Sequence, residues 1–425
     1  MHRLCPHTRG AALTPAGVTL IRMVVVGFSR NLLRPSVGRE ASRVSFIELF
    51  FDLVFVFAVT QVSHLLVDHT DVTALLHTVI LTAAVWWVWI NTTWALNWLN
   101  PEIGWIRGLI IVLMLLGLLV STSIPEAFSG RAMLFAGALV LMELGRTVFT
   151  ALAFARFRPD HAMNFARIAV WQVASAAFWV WGAFVSPDLQ VWLWLAAIVT
   201  YAAGPAMRFW LPGMGGSEMD SWDISGEHMA ERVGLFFILA LGESILVTGS
   251  SFSEGTINGV NIFALVTAFT STVLLWLLYF NHSQRGGSEY LMSAAQPGAV
   301  ARLAYTYIPL IMVLGVVLAA VAEALMMKDP SGRVSAWAAG LACGSFAVYM
   351  IGNALFRRAV GGKWLVSHAL GALALVALFP LHPLFSALQL GWLVNGVTIL
   401  VVITDEVVWR RRPTAGVHRM TKRAV

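Results

Sequence analysis

Charge is scarce in this sequence. Aspartate, glutamate, lysine and arginine make up 12% of the 425 residues, about half the share of roughly 25% found in a soluble domain. So thin a polar inventory cannot cover a water-soluble protein of this length. Cysteine is scarcer still: Cys5 and Cys343 stand far apart, which excludes a disulfide framework and any thiolate metal site. There is no low-complexity tract. No connection between apolar blocks exceeds 23 residues, the longest being Phe209–Glu231, so no extramembrane catalytic domain can be inserted. The acidic residues of that loop, Glu218, Asp220, Asp223 and Glu227, with His228, match no metal spacing such as H-E-x-x-H. Neither a metal nor another cofactor is expected. A net charge of +6 raises the question of nucleic acid, but the basic residues are distributed by topology.

What is present is apolar, at 58% of the chain, with a mean hydropathy of +0.76. It falls in blocks long enough for membrane helices, which need ~20 apolar residues. Eighteen Trp and 25 Phe suit interfacial belts. Twelve blocks can be read, at about 46–66, 74–98, 105–124, 132–155, 166–186, 189–208, 232–250, 260–281, 303–327, 334–356, 364–380 and 384–408. Positive charge tests the count independently. With twelve spans and both termini inside, 24 of the 28 Lys and Arg lie on the cytoplasmic side. Only Arg131, Lys328 and Arg333 lie outside, and Arg146 sits within a helix. That asymmetry is the positive-inside rule. The fold class is therefore all-α and polytopic, with the lipid bilayer as its first partner.

Three regions follow. Residues 1–43 form a basic cytoplasmic arm, expected to be disordered. Val18–Phe28 is too short and too interrupted by Arg22 for a signal peptide or a span, and translation from Met1 or from Met23 are both open. Residues 44–409 form the transmembrane domain, with halves 44–208 and 232–409 around the cytoplasmic loop 209–231. Residues 410–425 are a basic cytoplasmic tail. The halves echo one another near an offset of 190 residues. Glu48-Leu-Phe-Phe-Asp-Leu answers Glu231-Arg-Val-Gly-Leu-Phe-Phe, and Trp89-Ile-Asn91 answers Tyr279-Phe-Asn281. Arg107 answers Arg302, and Gly145-Arg-Thr-Val-Phe149 answers Gly352-Asn-Ala-Leu-Phe356. The preserved order points to a six-plus-six duplication, an architecture common among transporters.

Ionisable residues in hydrocarbon cost energy, about 2.5–3.5 kcal/mol on insertion scales, and so call for a reason. Glu48 and Asp52, at i and i+4, share one face of the first helix. Two close carboxylates oppose each other's ionisation, which is the chemistry of a proton or cation site. The plainer reading leaves Glu48 among the headgroups and Asp52 as a cap. On this basis Asp52→Asn keeps the shape and should still accumulate. Glu243 lies near mid-membrane between Gly242 and Ser244, as a proton or cation site or as polar glue between helices. Glu143 and Arg146, at i and i+3, read as a structural ion pair, with an anion site on Arg146 as the alternative. Glu323 is expected to reach water at the outer end of its helix. His77 and His368 read as packing residues, Asp405 and Glu406 as interfacial, and the run Trp86-Trp-Val-Trp89 with Trp94 and Trp98 as a packing stripe.

The stretch Glu48-Leu-Phe-Phe-Asp-Leu-Val-Phe-Val-Phe and the run His228…Glu231-Arg232…Gly234-Leu-Phe…Leu241-Gly-Glu-Ser244 resemble the bacterial low-temperature-requirement A family of membrane proteins. The resemblance extends from about Ser42 over nearly the whole chain and marks His228, Glu231, Arg232 and Ser244 as supporting residues. The sequence departs from the family pattern at Asn281, where an acidic residue is common, and at Ile308, where a His often follows the aromatic pair. The resemblance implies a bacterial plasma-membrane protein without naming a reaction. The expected function is a transporter or permease, proton- or cation-coupled, for an unidentified small solute or ion. A membrane enzyme acting on lipid, or a non-transporting sensor or scaffold, are the alternatives, and assembly as a homo-oligomer is open.

Overall fold

The computed structural model describes residues 32–34, 44–217, 225–281, 283, 287, 290, 297–361 and 364–410. Among these, twelve long helices succeed one another. They are α1 (Phe46–Asp68), α2 (Val72–Trp98), α3 (Gly104–Ser123), α4 (Ala132–Ala155), α5 (Pro159–Gly182), α6 (Pro187–Ala206), α7 (Gly226–Glu254), α8 (Gly259–Phe280), α9 (Ile308–Lys328), α10 (Ala336–Ala359), α11 (Val366–Leu378) and α12 (Ala387–Arg410). A short helix, Pro297–Ala301, and a wide π-helical turn, Arg302–Tyr307, lead into α9. Side-chain caps start several helices: Asp71 accepts from Ala74 N, Asn258 from Asn261 N and Ser335 from Ala338 N, satisfying donors that would otherwise be orphaned. Every region expected to hold a span holds a helix, and eleven of the twelve are long and apolar enough to cross a membrane, α11 together with the tight turn Phe379–Leu384 that continues it. The other is α5. Its Gln172 bonds Tyr201 of α6 at 2.7 Å and its Ser175 bonds the Ala197 carbonyl at 2.9 Å, so its polarity is spent against a neighbouring helix.

Apolar side chains gain nothing by leaving lipid for a helix interface, so packing and polar contacts organise the bundle. Helix α1 shows the division. Phe46, Phe50, Leu53 and Phe57 face outward, while Glu48, Phe51, Asp52, Phe55 and Val59 face inward. The centre belongs to α2 and α9, whose apolar stretches are 72% and 78% buried, against 22% and 28% for the segment containing α11 and for α12. Helices α9 and α10 approach closely because Gly315 and Gly352 lack side chains. A Cβ at Gly315 would stand 2.9 Å from Tyr349 Cβ, and one at Gly352 would stand 2.6 Å from Met312 Cγ.

The two halves repeat one packing scheme. In each, the first helix packs on the second and third, the third on the fourth, the fourth on the fifth and the fifth on the sixth. The second packs on the fourth and sixth. One bond recurs at matched positions of the sequence echo. Arg146 of α4 donates to the Val88 carbonyl of α2 at 3.1 Å, and Asn353 of α10 donates to the Leu278 carbonyl of α8 at 3.1 Å. Short echoes with drifting offsets thus become equivalent contacts.

Candidate functional site

The inner faces of α1 and α7 meet through charge. Asp52 lies one turn beyond Glu48, and both carboxylates are fully buried. Arg232 of α7 donates from Nη1 to Asp52 Oδ2 and from Nη2 to Asp52 Oδ1, each at 2.8 Å. The same guanidinium donates to the Glu48 carbonyl at 2.9 Å and lies 5.5 Å from the ring centre of Trp89. Trp89 of α2 donates its indole N–H to Asp52 at 2.8 Å. Three helices are thereby bound to one carboxylate. A bidentate guanidinium–carboxylate pair is the strong, geometrically exacting form of this contact.

Glu48 has its own partners. Arg34 Nη2 donates to both of its oxygens at 3.0 Å, His228 Nε2 lies 2.8 Å away, and the Ser45 N–H and hydroxyl donate at 2.8 and 2.9 Å. Arg34 is placed by backbone pairing at the end of α2: Arg34 N donates to Trp98 O at 2.7 Å and Asn100 N to Leu32 O at 2.9 Å. Asn97 fixes the histidine tautomer. Its Oδ1 accepts from Ser225 N at 2.8 Å and its Nδ2 donates to Ser225 O at 3.0 Å. That orientation leaves Nδ2 facing His228 Nδ1 at 3.3 Å, so Nδ1 accepts and Nε2–H donates to Glu48.

Residues 43–403 of the chain, which contain all of these groups except Leu32 and Arg34, match the bacterial low temperature requirement A protein (LtrA) family. The chain belongs to the LtrA family. A relative from Rhizobium meliloti (strain 1021), described as an uncharacterised protein, is 37% identical over 371 residues, which cover 87% of this chain and 90% of the relative. No solved structure matches.

In this LtrA protein the two halves of the sequence signature are therefore the two sides of one ionic clamp. The first-helix carboxylates share a face, as their spacing requires, but they do not form an isolated acidic pair. Each is countered by a guanidinium from another segment. Glu48 is buried against Arg34 and His228, and Asp52 bonds side chains of α2 and α7 in place of a helix end. Leu32–Arg34, inside the arm expected to be disordered, are held against α2. The rest of that arm lies outside the described residues, as do Glu218, Asp220 and Asp223 of the acidic loop and the tail beyond Arg410. Glu231 is exposed and accepts from the Val44 backbone beside the clamp.

A second polar system lies deeper. The Thr60 hydroxyl of α1 donates to Glu243 Oε2, and the Ser244 hydroxyl of α7 donates to Glu323 Oε2 of α9. Thr272 of α8 donates to Ser244 Oγ at 3.2 Å. Glu243 and Glu323 are 1% and 5% exposed, and Oε1 of each has no hydrogen-bond partner among the described residues. His64, one turn beyond Thr60, interacts with Glu243 electrostatically. Glu323 is turned inward to Ser244 and lines a cavity of about 30 Å³.

The expected Glu143–Arg146 ion pair does not form among the described residues. Arg146 turns to Val88 O, to Thr92 Oγ1 at 3.0 Å and to Tyr201 OH at 3.3 Å, while Glu143 Oε2 has no partner. Three acceptors on α2 and α6 outcompete one carboxylate on the same helix. Asp405 is likewise buried, accepting from Arg357 at 2.8 Å and Ser367 at 2.6 Å. His77 stacks on Phe128 with ring centres 3.5 Å apart, a packing role. Sequence reasoning missed Arg34, Asn97 and Thr60. Asn97, a polar residue near the end of an apolar helix, carried a signal; Arg34 did not.

Proposed function

We propose that this LtrA protein is a proton-coupled permease of the bacterial plasma membrane, with both termini cytoplasmic. The observation that carries the reading is the polar line through the apolar middle, Thr60–Glu243 and Thr272–Ser244–Glu323, spanning α1, α7, α8 and α9. Its carboxyls are bonded to hydroxyls and not to guanidinium groups. An ionised carboxylate without a cationic partner is very costly in a low-dielectric site, whereas the acid form is a neutral donor and acceptor. Gaining and losing a proton therefore strongly changes the energetics of these two residues. The clamp at Glu48 and Asp52 serves a different end, with built-in cations that join α1 to α7 across the two halves. Its position between repeated halves supports rocking of one half against the other, and the positive-inside distribution supports the orientation.

The test is uptake into proteoliposomes, screening metabolites and ions with and without an imposed pH gradient. At least one solute should accumulate in response to the gradient. Glu243→Gln and Glu323→Gln should abolish that response while membrane abundance stays near wild type, because an amide preserves shape and hydrogen bonding but cannot titrate. Full gradient dependence in Glu243→Gln would overturn the assignment.

A further inference from the structure

A cavity of about 70 Å³ opens where α2 ends, between α4, α5, the end of α6 and the π turn before α9. Three arginines from three different segments line it: Arg146, Arg208 and Arg302. Trp94, Trp98 and Thr306 form part of the same wall, and none of its described lining residues is acidic. Guanidinium groups gathered around one space attract anions to it, although Arg146 also interacts electrostatically with Glu143, one turn away on α4. Guanidinium groups match carboxylate and phosphate oxygens in geometry, and tryptophan faces supply apolar contact. Arg146 is 2% exposed and is pinned by α2 and α6, so its charge is fixed in direction. Arg302 donates to the Pro205 carbonyl at 3.0 Å, which ties the π turn to α6 across the cavity.

The backbone is irregular here. Arg208 and Phe209 have φ of +56° and +50°, the two non-glycine residues with positive φ among those described. The left-handed region is strained for a non-glycine residue. Opposite them runs the π-helical turn Arg302–Tyr307, a conformation that is rare and concentrated at functional sites. Thr306 in that turn is held by two indoles, Trp86 donating to its carbonyl at 2.7 Å and Trp94 to its hydroxyl at 2.9 Å. Both irregularities carry an arginine into the cavity wall. We propose that this cavity is a binding site for an organic oxyanion, a carboxylate or phosphate group on an apolar or aromatic body. The site goes beyond the proton-coupled reading and can be tested without transport.

Two sources can present this chemistry: a soluble anion or an anionic lipid headgroup. Purified full-length protein in phosphatidylcholine nanodiscs is titrated with phenyl phosphate and benzoate, with benzyl alcohol as the neutral isostere, following tryptophan fluorescence. A parallel series replaces part of the phosphatidylcholine by phosphatidylglycerol. Saturable quenching by the anions but not by the alcohol is expected, weakened at least tenfold in Arg208→Gln/Arg302→Gln and restored in part by the lysine pair Arg208→Lys/Arg302→Lys. Competition by phosphatidylglycerol, lost in the glutamine pair, assigns the site to lipid; its absence assigns the site to soluble anions. Thermal stability equal to wild type in the glutamine pair separates lost binding from lost fold. If anions and alcohol bind alike, or if the glutamine pair folds and binds both anions and phosphatidylglycerol as wild type does, the proposal is wrong.

Discussion

Replacing Asp52 by asparagine separates the clamp from ordinary packing. On spacing alone the change is close to isosteric, and the protein should accumulate. The bidentate contact with Arg232 reverses that expectation. Asparagine keeps one acceptor oxygen but turns an N–H donor toward a guanidinium that can only donate. One of the two 2.8 Å bonds is lost, and Arg232, fully buried, is left with an uncompensated charge it cannot shed. Breaking a buried pair by removing one partner costs about 3–5 kcal/mol. That is on the order of a hundred- to several-thousandfold in the folded-to-unfolded ratio, against a total stability of about 5–15 kcal/mol. The assay is membrane abundance of a fluorescent fusion, with retention of the monodisperse peak in detergent after heating. Asp52→Asn should be scarce and heat-labile, and Asp52→Leu/Arg232→Met, which removes both charges, should recover much of the loss. Wild-type abundance and heat resistance in Asp52→Asn, or a double variant worse than the single, would refute the reasoning.

Glu143→Gln should change heat stability by no more than about 1.5 kcal/mol, the net worth of a hydrogen bond, because Arg146 does not rely on Glu143. Arg146→Met should cost about 3 kcal/mol or more by losing several bonds from a charged donor; the same detergent assay ranks the two, and the reverse order counts against the assignment. Gly315→Ala should destabilise by about 1–3 kcal/mol through overpacking at the α9–α10 contact. Gly344→Ala, whose new methyl would meet nothing within 4 Å, should be neutral or stabilising. Reporters fused after Asp188 or His382 should be external, and those after Arg158, Met219 or Arg358 cytoplasmic; Asp188 and Met219 reporting the same side would break the twelve-span topology.

The acidic face of α1 was legible because i, i+4 spacing on a helix is local geometry, independent of anything else in the chain. The family signature in α7 was legible as a pattern, but its purpose was not. Arg232 is 180 residues from Asp52, and no local rule says which buried cation meets which carboxylate. The Glu143–Arg146 pair failed for the same reason. Proximity along one helix made it look self-contained, whereas Thr92 and Tyr201, supplied by packing, offered Arg146 better acceptors.

Composition and periodicity alone determined that the chain is a helical membrane protein, where its helices lie and that its halves echo one another. Those properties follow from the solvent, since hydrocarbon demands internally bonded backbone and apolar length, and both demands are written residue by residue. Tertiary structure alone decided which charges cancel, which carboxyls are left with hydroxyl partners, and which arginines converge on one cavity. Inside a bilayer the apolar surface is indifferent to its neighbours, so the few polar side chains choose the contacts between helices. Their partners come from segments that only the folded bundle brings within 3 Å of one another.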